Sequence, residues 1–297
     1  MFNDILITGS NGFLGKVIAS VLKNNHNLFY LSRFSGNYKV FLDKEIPHFN
    51  QKFNLIIHAA GKAHNSPKNE VEEREFYNIN IVGTNNLLKG LEKSGIPDRF
   101  VFISSVAVYG LEKGKQINEG YNLSAKDPYG LSKIKAEHLV LEWCQKNNVI
   151  CTILRLPLLV GKNPPGNLGA MVNGIKKGYY FNIGGGTAKK SMVLAMDVAQ
   201  FIPDIAAVGG IYNLTDGEHP TFESLSFVIA KKEIRNLPLI VVKTMGFLGD
   251  IIGDKAPINS LKIKKITSDL TFDDSKAREF GWKPQSVIEY LKRNDLN

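Results

Sequence analysis

The 297 residues are 43% hydrophobic, 22% charged and 10% aromatic, which supplies a full core and excludes a disordered or fibrous chain. A formal charge of +9 is scattered over small lysine clusters at 176–177, 189–190, 231–232 and 262–265, a solvated surface rather than the continuous basic stripe of a nucleic-acid footprint. No run of about 18 apolar residues occurs, and an acid follows Met-Phe-Asn where a signal peptide carries a base, so a soluble, cytoplasmic protein with no membrane partner is expected.

The chain opens as strand, glycine turn, helix, strand: a β-branched run at 5–7, a helical pattern at 16–24 and a second apolar run at 28–31. Further buried-strand runs stand at 55–57, 100–103, 150–154 and 210–214, with helical patterns at 70–94 and 129–147. Such alternation predicts an α/β fold, a parallel sheet covered by helices on both faces. After Pro157 the pattern loosens, with Pro164-Pro165-Gly166, Gly184-Gly185-Gly186 and Pro220 as turns. The expected division is a dinucleotide-binding domain over 1–157, rejoined by 187–214, and a substrate domain over 158–186 and 215–297. The apolar stretch 237–252 is interrupted by Pro238, Lys243 and Asp250 and reads as a core-facing amphipathic segment. Two cysteines, Cys144 and Cys151, are too few for a disulfide framework or a zinc site and suit a reducing compartment.

Thr8-Gly9-Ser10-Asn11-Gly12-Phe13-Leu14-Gly15 follows a strand and opens a helix. Its first glycine permits a tight turn, the middle one lets backbone N–H groups reach a pyrophosphate, and the third lets helix pack on strand. The implied ligand is a dinucleotide, with Asn11, Phe13 and Leu14 in the same turn. Ser32-Arg33 ends the second strand, where an acid would bind the ribose hydroxyls of NAD. An arginine there attracts the 2′-phosphate through charge-assisted bonds, so NADP(H) is favoured, with NAD(H) the alternative. Asp43 reads as an ordinary surface acid.

Tyr129-Gly130-Leu131-Ser132-Lys133 puts a phenol and an ammonium on one face of a helix. A free tyrosine has a pKa of about 10. A neighbouring lysine cation is expected to lower it and so to tune proton transfer at an alcohol oxygen. Ser104 and Ser105 emerge at the carboxyl end of a parallel strand, where open α/β sheets bind ligands, and Ser105 can hold the reacting oxygen. The histidines show no His-x-x-x-His or His-Glu-x-x-His spacing. His26, His48, His64, His138 and His219 read as ordinary residues, and no metal is expected.

Taken in order, the glycine turn, His58-Ala59-Ala60, Asn80-x-x-Gly83-Thr84, Ser104-Ser105-x-x-Val108-Tyr109-Gly110, Pro128-Tyr129-x-x-Ser132-Lys133, Arg155 and Asp274-x-Lys276-Ala277-x-x-x-Gly281-Trp282-x-Pro284 resemble the extended short-chain dehydrogenase/reductase family acting on nucleotide sugars. The resemblance spans nearly the whole chain. It implies a Rossmann doubly wound sheet with a smaller C-terminal substrate-binding domain, and a catalytic set of Ser105, Tyr129 and Lys133. It further implies cofactor contacts from His58, Ala59, Ala60, Asn80, Ser104 and Pro157, with Lys62 near the cofactor phosphates and the substrate and Lys133 on the nicotinamide ribose. Asn167 and Leu168 fall where family members contact the nucleotide diphosphate, and Lys190 where an arginine usually stands. The resemblance also implies a homodimer through the helices at 70–94 and 129–147.

Dehydratases of that family carry Asp-Glu after the catalytic hydroxyl, whereas Val106-Ala107 stands here, which disfavours a 4,6-dehydratase. Two enzymatic readings remain: a 4-ketoreductase consuming NADPH, or a 4-epimerase that retains NAD. Ser32-Arg33 and a similarity to bacterial UDP-4-keto-6-deoxy-N-acetylhexosamine reductases favour the first. Arg155-Leu156-Pro157-Leu158 lacks the asparagine that many epimerases and dehydratases carry three residues after the arginine. A third class, a regulator that senses NADP(H) without chemistry, could dispense with the tyrosine and is disfavoured by the intact triad.

Overall fold

The computed structural model describes residues 3–62, 67, 69–252, 259–294 and 296. The seven-stranded sheet is parallel throughout. It takes β1 (Asp4–Thr8), β2 (Asn27–Ser32), β3 (Tyr38–Lys39), β4 (Leu55–His58) and β5 (Arg99–Ser105) from the first part of the chain. β6 (Gly114–Ile117) lies outside it, and β7 (Ile150–Leu156) returns to it. β8 (Leu158–Val160), β9 (Asn182–Ile183) and β10 (Met192–Leu194) stand apart, and β11 (Gly210–Asn213) closes the edge. Strand order is 11-7-5-4-1-2-3. The order reverses beside β1, so β1 and β4 splay their connections to opposite faces and leave a crevice at their carboxyl ends.

Helices cover both faces. α1 (Phe13–Leu22) begins three residues before the sequence pattern does, because Gly12 supplies an extended N-cap with no side chain to occupy the first turn. The predicted helix at 70–94 is α2 (Glu70–Tyr77), a π-helical turn (Asn78–Val82) and α3 (Gly83–Ser94). The extra residue in that turn rotates Asn80 inward, a local device common at functional sites. α4 (Pro128–Lys146) is capped by Asp127, whose carboxylate accepts from Gly130 N at 3.0 Å, and proline at its first turn needs no N–H partner.

One core cluster joins Ile5, Ile7, Ile18 and Leu22 to Val198, Ala199 and Ile202 of α6 (Ala195–Ile205), and α5 (Gly166–Lys176) precedes it. A second joins Leu6, Ile56 and Phe100 to Leu87, Leu88 and Val140 on the opposite face. β10 alternates between two clusters: Val193 faces the sheet core, while Met192 and Leu194 join Leu168, Met171 and Leu225 of a third. That third cluster gathers α5, α7 (Phe222–Ala230) and, farther along the chain, Val287 and Leu291.

The later chain holds β12 (Asn236–Leu237), α8 (Leu239–Ile252), α9 (Ser260–Thr267), β13 (Leu270–Phe272), α10 (Ser275–Glu279) and α11 (Val287–Arg293). β13 pairs with β6, and β12 with β9. The expectation for 237–252 is overturned. Among its described residues α8 buries only Val242 and its two glycines, and leaves Ile240, Phe247, Leu248 and Ile251 exposed. Its inner face is too small to hold more, since a Cβ on Gly246 would lie 2.2 Å from Ile263 Cδ1 of α9. Among the described residues no helix is long and apolar enough to cross a membrane.

Gly15 shows how tightly α1 sits on the turn, because a Cβ there would meet Gly9 O at 2.2 Å. Gly15→Ala should destabilise the protein by about 1–3 kcal/mol and weaken dinucleotide binding together with it. Thermal melts with and without NADPH test this.

Candidate active site

At the carboxyl end of β1 the chain turns through Gly9 at φ +70°, and a Cβ there would lie 2.6 Å from Ala60 N. Gly9 N donates to Leu31 O at 3.1 Å and Gly12 N to Gly9 O at 2.9 Å, which folds the turn under the first turn of α1. The helix N-terminus has no side-chain cap, so its N–H groups face the crevice as an anion cradle. These features fit a dinucleotide pyrophosphate, and Ala59-Ala60 forms the opposite wall by backbone alone.

At the end of β2, Asn11 Nδ2 donates to Ser32 Oγ at 3.0 Å and to Ser35 Oγ at 2.8 Å, and Ser32 Oγ donates to Ser35 O at 2.6 Å. Arg33 is exposed beside them, its guanidinium 5.6 Å from the Phe34 ring centroid. Asn11 and the two serines bond one another without a carboxylate between them. Ser35 was missed by sequence reading; its nearness to Asn11 depends on how the loop folds back, which no local pattern announces.

His58 is buried at the end of β4 with both ring nitrogens engaged, Nδ1 2.6 Å from Thr8 Oγ1 and Nε2 2.9 Å from Thr84 Oγ1. Thr84 Oγ1 donates to Asn80 O at 2.7 Å and Thr8 Oγ1 accepts from Ala60 N at 3.2 Å. Nε2 therefore carries the proton and Nδ1 accepts from Thr8. Burial, helped by the Lys133 charge, lowers the imidazole pKa to about 3, so the ring is neutral. The structure thus gives the His58 side chain to the scaffold. His64 and the rest of 63–66 lie outside the described residues.

Asn80 Oδ1 accepts from Lys62 N at 2.7 Å, and Asn80 Nδ2 donates to Ser132 Oγ at 2.8 Å. Ser132 Oγ donates to Tyr129 O at 2.7 Å. Lys62 turns its ammonium to Glu75 and over the Phe76 ring, 5.0 Å from the centroid, rather than toward the glycine turn. Phe76 packs against Tyr129 with ring centroids 6.0 Å apart.

Ser105, Tyr129 and Lys133 lie together at the carboxyl end of β5. Ser105 hydrogen-bonds the Tyr129 phenol, and its Oγ accepts from Ala107 N at 3.2 Å. Lys133 Nζ donates to Ile103 O at 2.9 Å, 4.8 Å from the Phe102 ring centroid. A Cβ on Gly61 would come 3.1 Å from Asn80 Oδ1 and 3.4 Å from Lys133 Nζ, so the bare glycine keeps the floor open. Contrary to the expectation that lysine lowers the phenol, burial pushes Tyr129 above its ordinary value, and the Ser105 bond only partly offsets it. Lys133 is directed at a backbone carbonyl, and desolvation lowers its own pKa to about 8.

Ser104 faces away from this cleft. Its hydroxyl donates to Glu137 Oε1 at 2.5 Å, and Glu137 is clamped by Arg155 through Nε at 3.1 Å and Nη2 at 2.8 Å. Arg155 Nη1 also reaches Tyr109 OH at 3.1 Å, and Tyr109 OH donates to Asn213 Oδ1 at 2.8 Å. Pro157 is half-buried between β7 and β8. Asn167 is exposed on the first turn of α5, and Leu168 is buried in the third core cluster. Lys190 Nζ donates to Lys265 O at 2.8 Å, and burial lowers it to about 8. A polar cavity of about 460 Å³, lined by Gln116, Asp216, His219, Asp274 and Arg278 among others, shares no residue with the Ser-Tyr-Lys set.

Lys133 carries a charge that the fold disfavours. Its pKa is about 10.4 unfolded and about 8 folded, so the penalty is complete below pH 8 and fades as pH rises to about 10.5. Lys133→Met should therefore raise stability at pH 7, by at most about 3 kcal/mol, with the gain shrinking above pH 8. Denaturant titrations from pH 6 to 10 check the sign.

Residues 5–214 match the model of the NAD dependent epimerase/dehydratase family. The N-acetyl-alpha-D-glucosaminyl-diphospho-ditrans,octacis-undecaprenol 4-epimerase of Escherichia coli O157:H7 is 26% identical, covering 99% of this chain and 94% of its own. GDP-6-deoxy-D-mannose reductase of Pseudomonas aeruginosa is 31% identical over 48% of each chain. Among solved structures, RMD from Pseudomonas aeruginosa complexed with NADPH superposes with a TM-score of 0.73 at 21% identity, covering 99% of this chain and 98% of its own. The UDP-glucose 4-epimerase of Thermus thermophilus in complex with NAD gives 0.74 at 19% identity over 97% and 96%. The chain belongs to the NAD dependent epimerase/dehydratase family, and is an NAD(P)-dependent enzyme of the epimerase and reductase kind.

Proposed function

We propose that the protein is a 4-ketoreductase that reduces a UDP-4-keto-6-deoxy-N-acetylhexosamine at the expense of NADPH. The observation that carries this reading is the adenosine end of the cleft. There Asn11, Ser32 and Ser35 present amide and hydroxyl groups beside Arg33, with no acid among them. That set suits a 2′-phosphate, which a guanidinium binds through paired charge-assisted bonds. A consumed reductant is drawn from the NADPH pool, whereas an epimerase recycles its own NAD.

When bound, the nicotinamide supplies the hydride for carbon 4. The chain's own groups do the rest. Tyr129 is protonated at neutral pH and burial holds the phenol above its ordinary range, so it delivers its proton only as the more basic alkoxide forms at carbon 4. Ser105 holds that oxygen through its hydroxyl, and Lys133 and Asn80 fix the nicotinamide ribose side of the cleft. Cofactor is assigned to 1–157 with 187–214, including Gly9, Gly12, Gly15 and the backbones of Ala59, Ala60 and Pro157. Substrate is assigned to 158–186 and 215–297, with Asn167, Leu168 and Lys190 toward the diphosphate. Two protomers are proposed to pair through α2, α3 and α4, in the cytoplasm.

The second reading is a 4-epimerase holding NAD, favoured by the full-length likeness to the E. coli epimerase. That relative's sugar is borne on diphospho-undecaprenol, and the exposed apolar face of α8 makes a lipid carrier the alternative to a nucleoside.

The cofactor released on denaturing the purified protein separates the two readings: retained NAD supports the epimerase, and an empty protein that oxidises NADPH with a 4-keto sugar supports the reductase. Tyr129→Phe should cut turnover about 10²–10⁴-fold while leaving the NADPH dissociation constant unchanged. Arg33→Asp should weaken NADPH about tenfold or more and spare NADH. Fluorescence titration of both cofactors checks this, and equal loss for both would show that Arg33 does not read the phosphate.

A further inference from the structure

α8 buries the narrow stripe Val242, Gly246 and Gly249 and packs on α9, where Ile263 fills the space over Gly246 and Asp250 Oδ1 accepts from Ser260 N at 3.0 Å. On the opposite side Ile240, Thr244, Phe247, Leu248 and Ile251 recur at helical spacing, and Ile240, Phe247 and Ile251 are 80%, 65% and 71% exposed. Val241, Met245 and, on α9, Leu261 widen the exposed apolar surface. Single exposed apolar residues are ordinary; a continuous stripe of this kind marks a docking face.

Charge selects the occupant. Lys243 on α8 and Lys262, Lys264 and Lys265 on α9 are all exposed; among the described residues of the two helices the one acid is Asp250, whose carboxylate is spent on the start of α9, while Lys265 also pairs with Glu112 at 3.2 Å. Long apolar side chains on the outward ridge with lysines around them match a bilayer surface: the ridge enters the acyl boundary while ammonium groups stay at anionic headgroups. At 14 residues α8 spans about 21 Å, too short to cross a bilayer and long enough to lie in its interface. The two helices are tied to the body of the protein beside a candidate substrate residue, since Lys190 Nζ donates to Lys265 O.

We infer that the α8–α9 surface docks this enzyme peripherally on an anionic lipid bilayer. The inference stands apart from the choice between reductase and epimerase.

Vesicles of phosphatidylglycerol and of phosphatidylcholine, sedimented with the full-length protein at about 0.1 M and about 1 M salt, test it. The expected result is sedimentation with phosphatidylglycerol that falls with salt, and little with phosphatidylcholine. Ile240→Glu/Phe247→Glu should reduce the bound fraction at least tenfold with melting temperature and NADPH binding kept. If that variant fails to fold, Lys243→Glu/Lys264→Glu alters only exposed charges and should give the same loss. Absence of wild-type protein from phosphatidylglycerol pellets overturns the proposal, as does equal binding by a folded variant. A halving of mass by light scattering in Ile240→Glu/Phe247→Glu, without vesicle binding by wild type, would assign the face to a second copy of this chain.

Discussion

A buried imidazole that never takes a proton in the neutral range holds the two halves of the cleft in register. His58 accepts from the Thr8 hydroxyl at the end of β1 and donates to Thr84 on α3, and Thr84 in turn donates to the carbonyl of Asn80. The same asparagine's amide reaches Ser132, which donates to the carbonyl of Tyr129. One directed run of hydrogen bonds therefore leads from the glycine turn, through the π-helical turn, to the first turn of the tyrosine helix. Each donor has one acceptor, and protonating His58 would oppose two donors across its Nδ1 contact, leaving one of them buried without an acceptor. Desolvation, with the Lys133 charge adding to it, lowers the ring's pKa to about 3, so the neutral ring that this run of hydrogen bonds requires is the one that persists.

A second buried network does for the β6–β13 side of the sheet what His58 does for the glycine-turn side. The Glu137–Arg155 pair, with side chains 1% and 3% exposed, receives the Ser104 hydroxyl and passes through Tyr109 to Asn213. Asn213 Nδ2 donates to Ile117 O at 3.1 Å and Asp273 O at 3.2 Å, so β11 is pinned to the strand pair of β6 and β13. A buried ion pair contributes little net stability, but removing one partner strands a charge, so the cluster specifies geometry more than it adds free energy. Ser104 and Ser105 are adjacent on β5 and serve opposite sides of it, as the two-residue period of a strand requires. The first locks the scaffold and the second meets Tyr129.

Much of this was legible in the sequence because the signals were local. The glycine turn, the β-branched runs and the Tyr-x-x-x-Lys spacing each act within a few residues, and the structure puts Gly9 at positive φ and brings Ser105 to the Tyr129 phenol where that reading expected them. What failed depended on what packs against what. The stretch 237–252 carries the composition of a core helix, yet the small inner face of α8 packs against α9 and most of its described apolar side chains face outward. The direction of the Tyr129 shift likewise depends on burial and on Lys133 bonding Ile103 O, neither of which a four-residue spacing contains. Ser35 and the π turn at Asn80 arise from loop and helix geometry that has no residue signature.

The protonation states that burial imposes also bear on what each group in the cleft can do. A phenol held above its ordinary pKa is protonated at neutral pH but is a weaker acid than a free one, so proton transfer from it needs a strongly basic acceptor such as an alkoxide. The reverse step, oxidation of a sugar hydroxyl, begins with proton removal and wants the phenolate. Lys133, lowered to about 8, is still mostly protonated at pH 7, and its ammonium is bound to the Ile103 carbonyl. Lowering the Tyr129 phenol takes more positive potential at its oxygen than the described groups supply, since the Ser105 bond only partly offsets burial. The same burial that makes the lysine's charge costly thus also makes the tyrosine hold its proton more tightly.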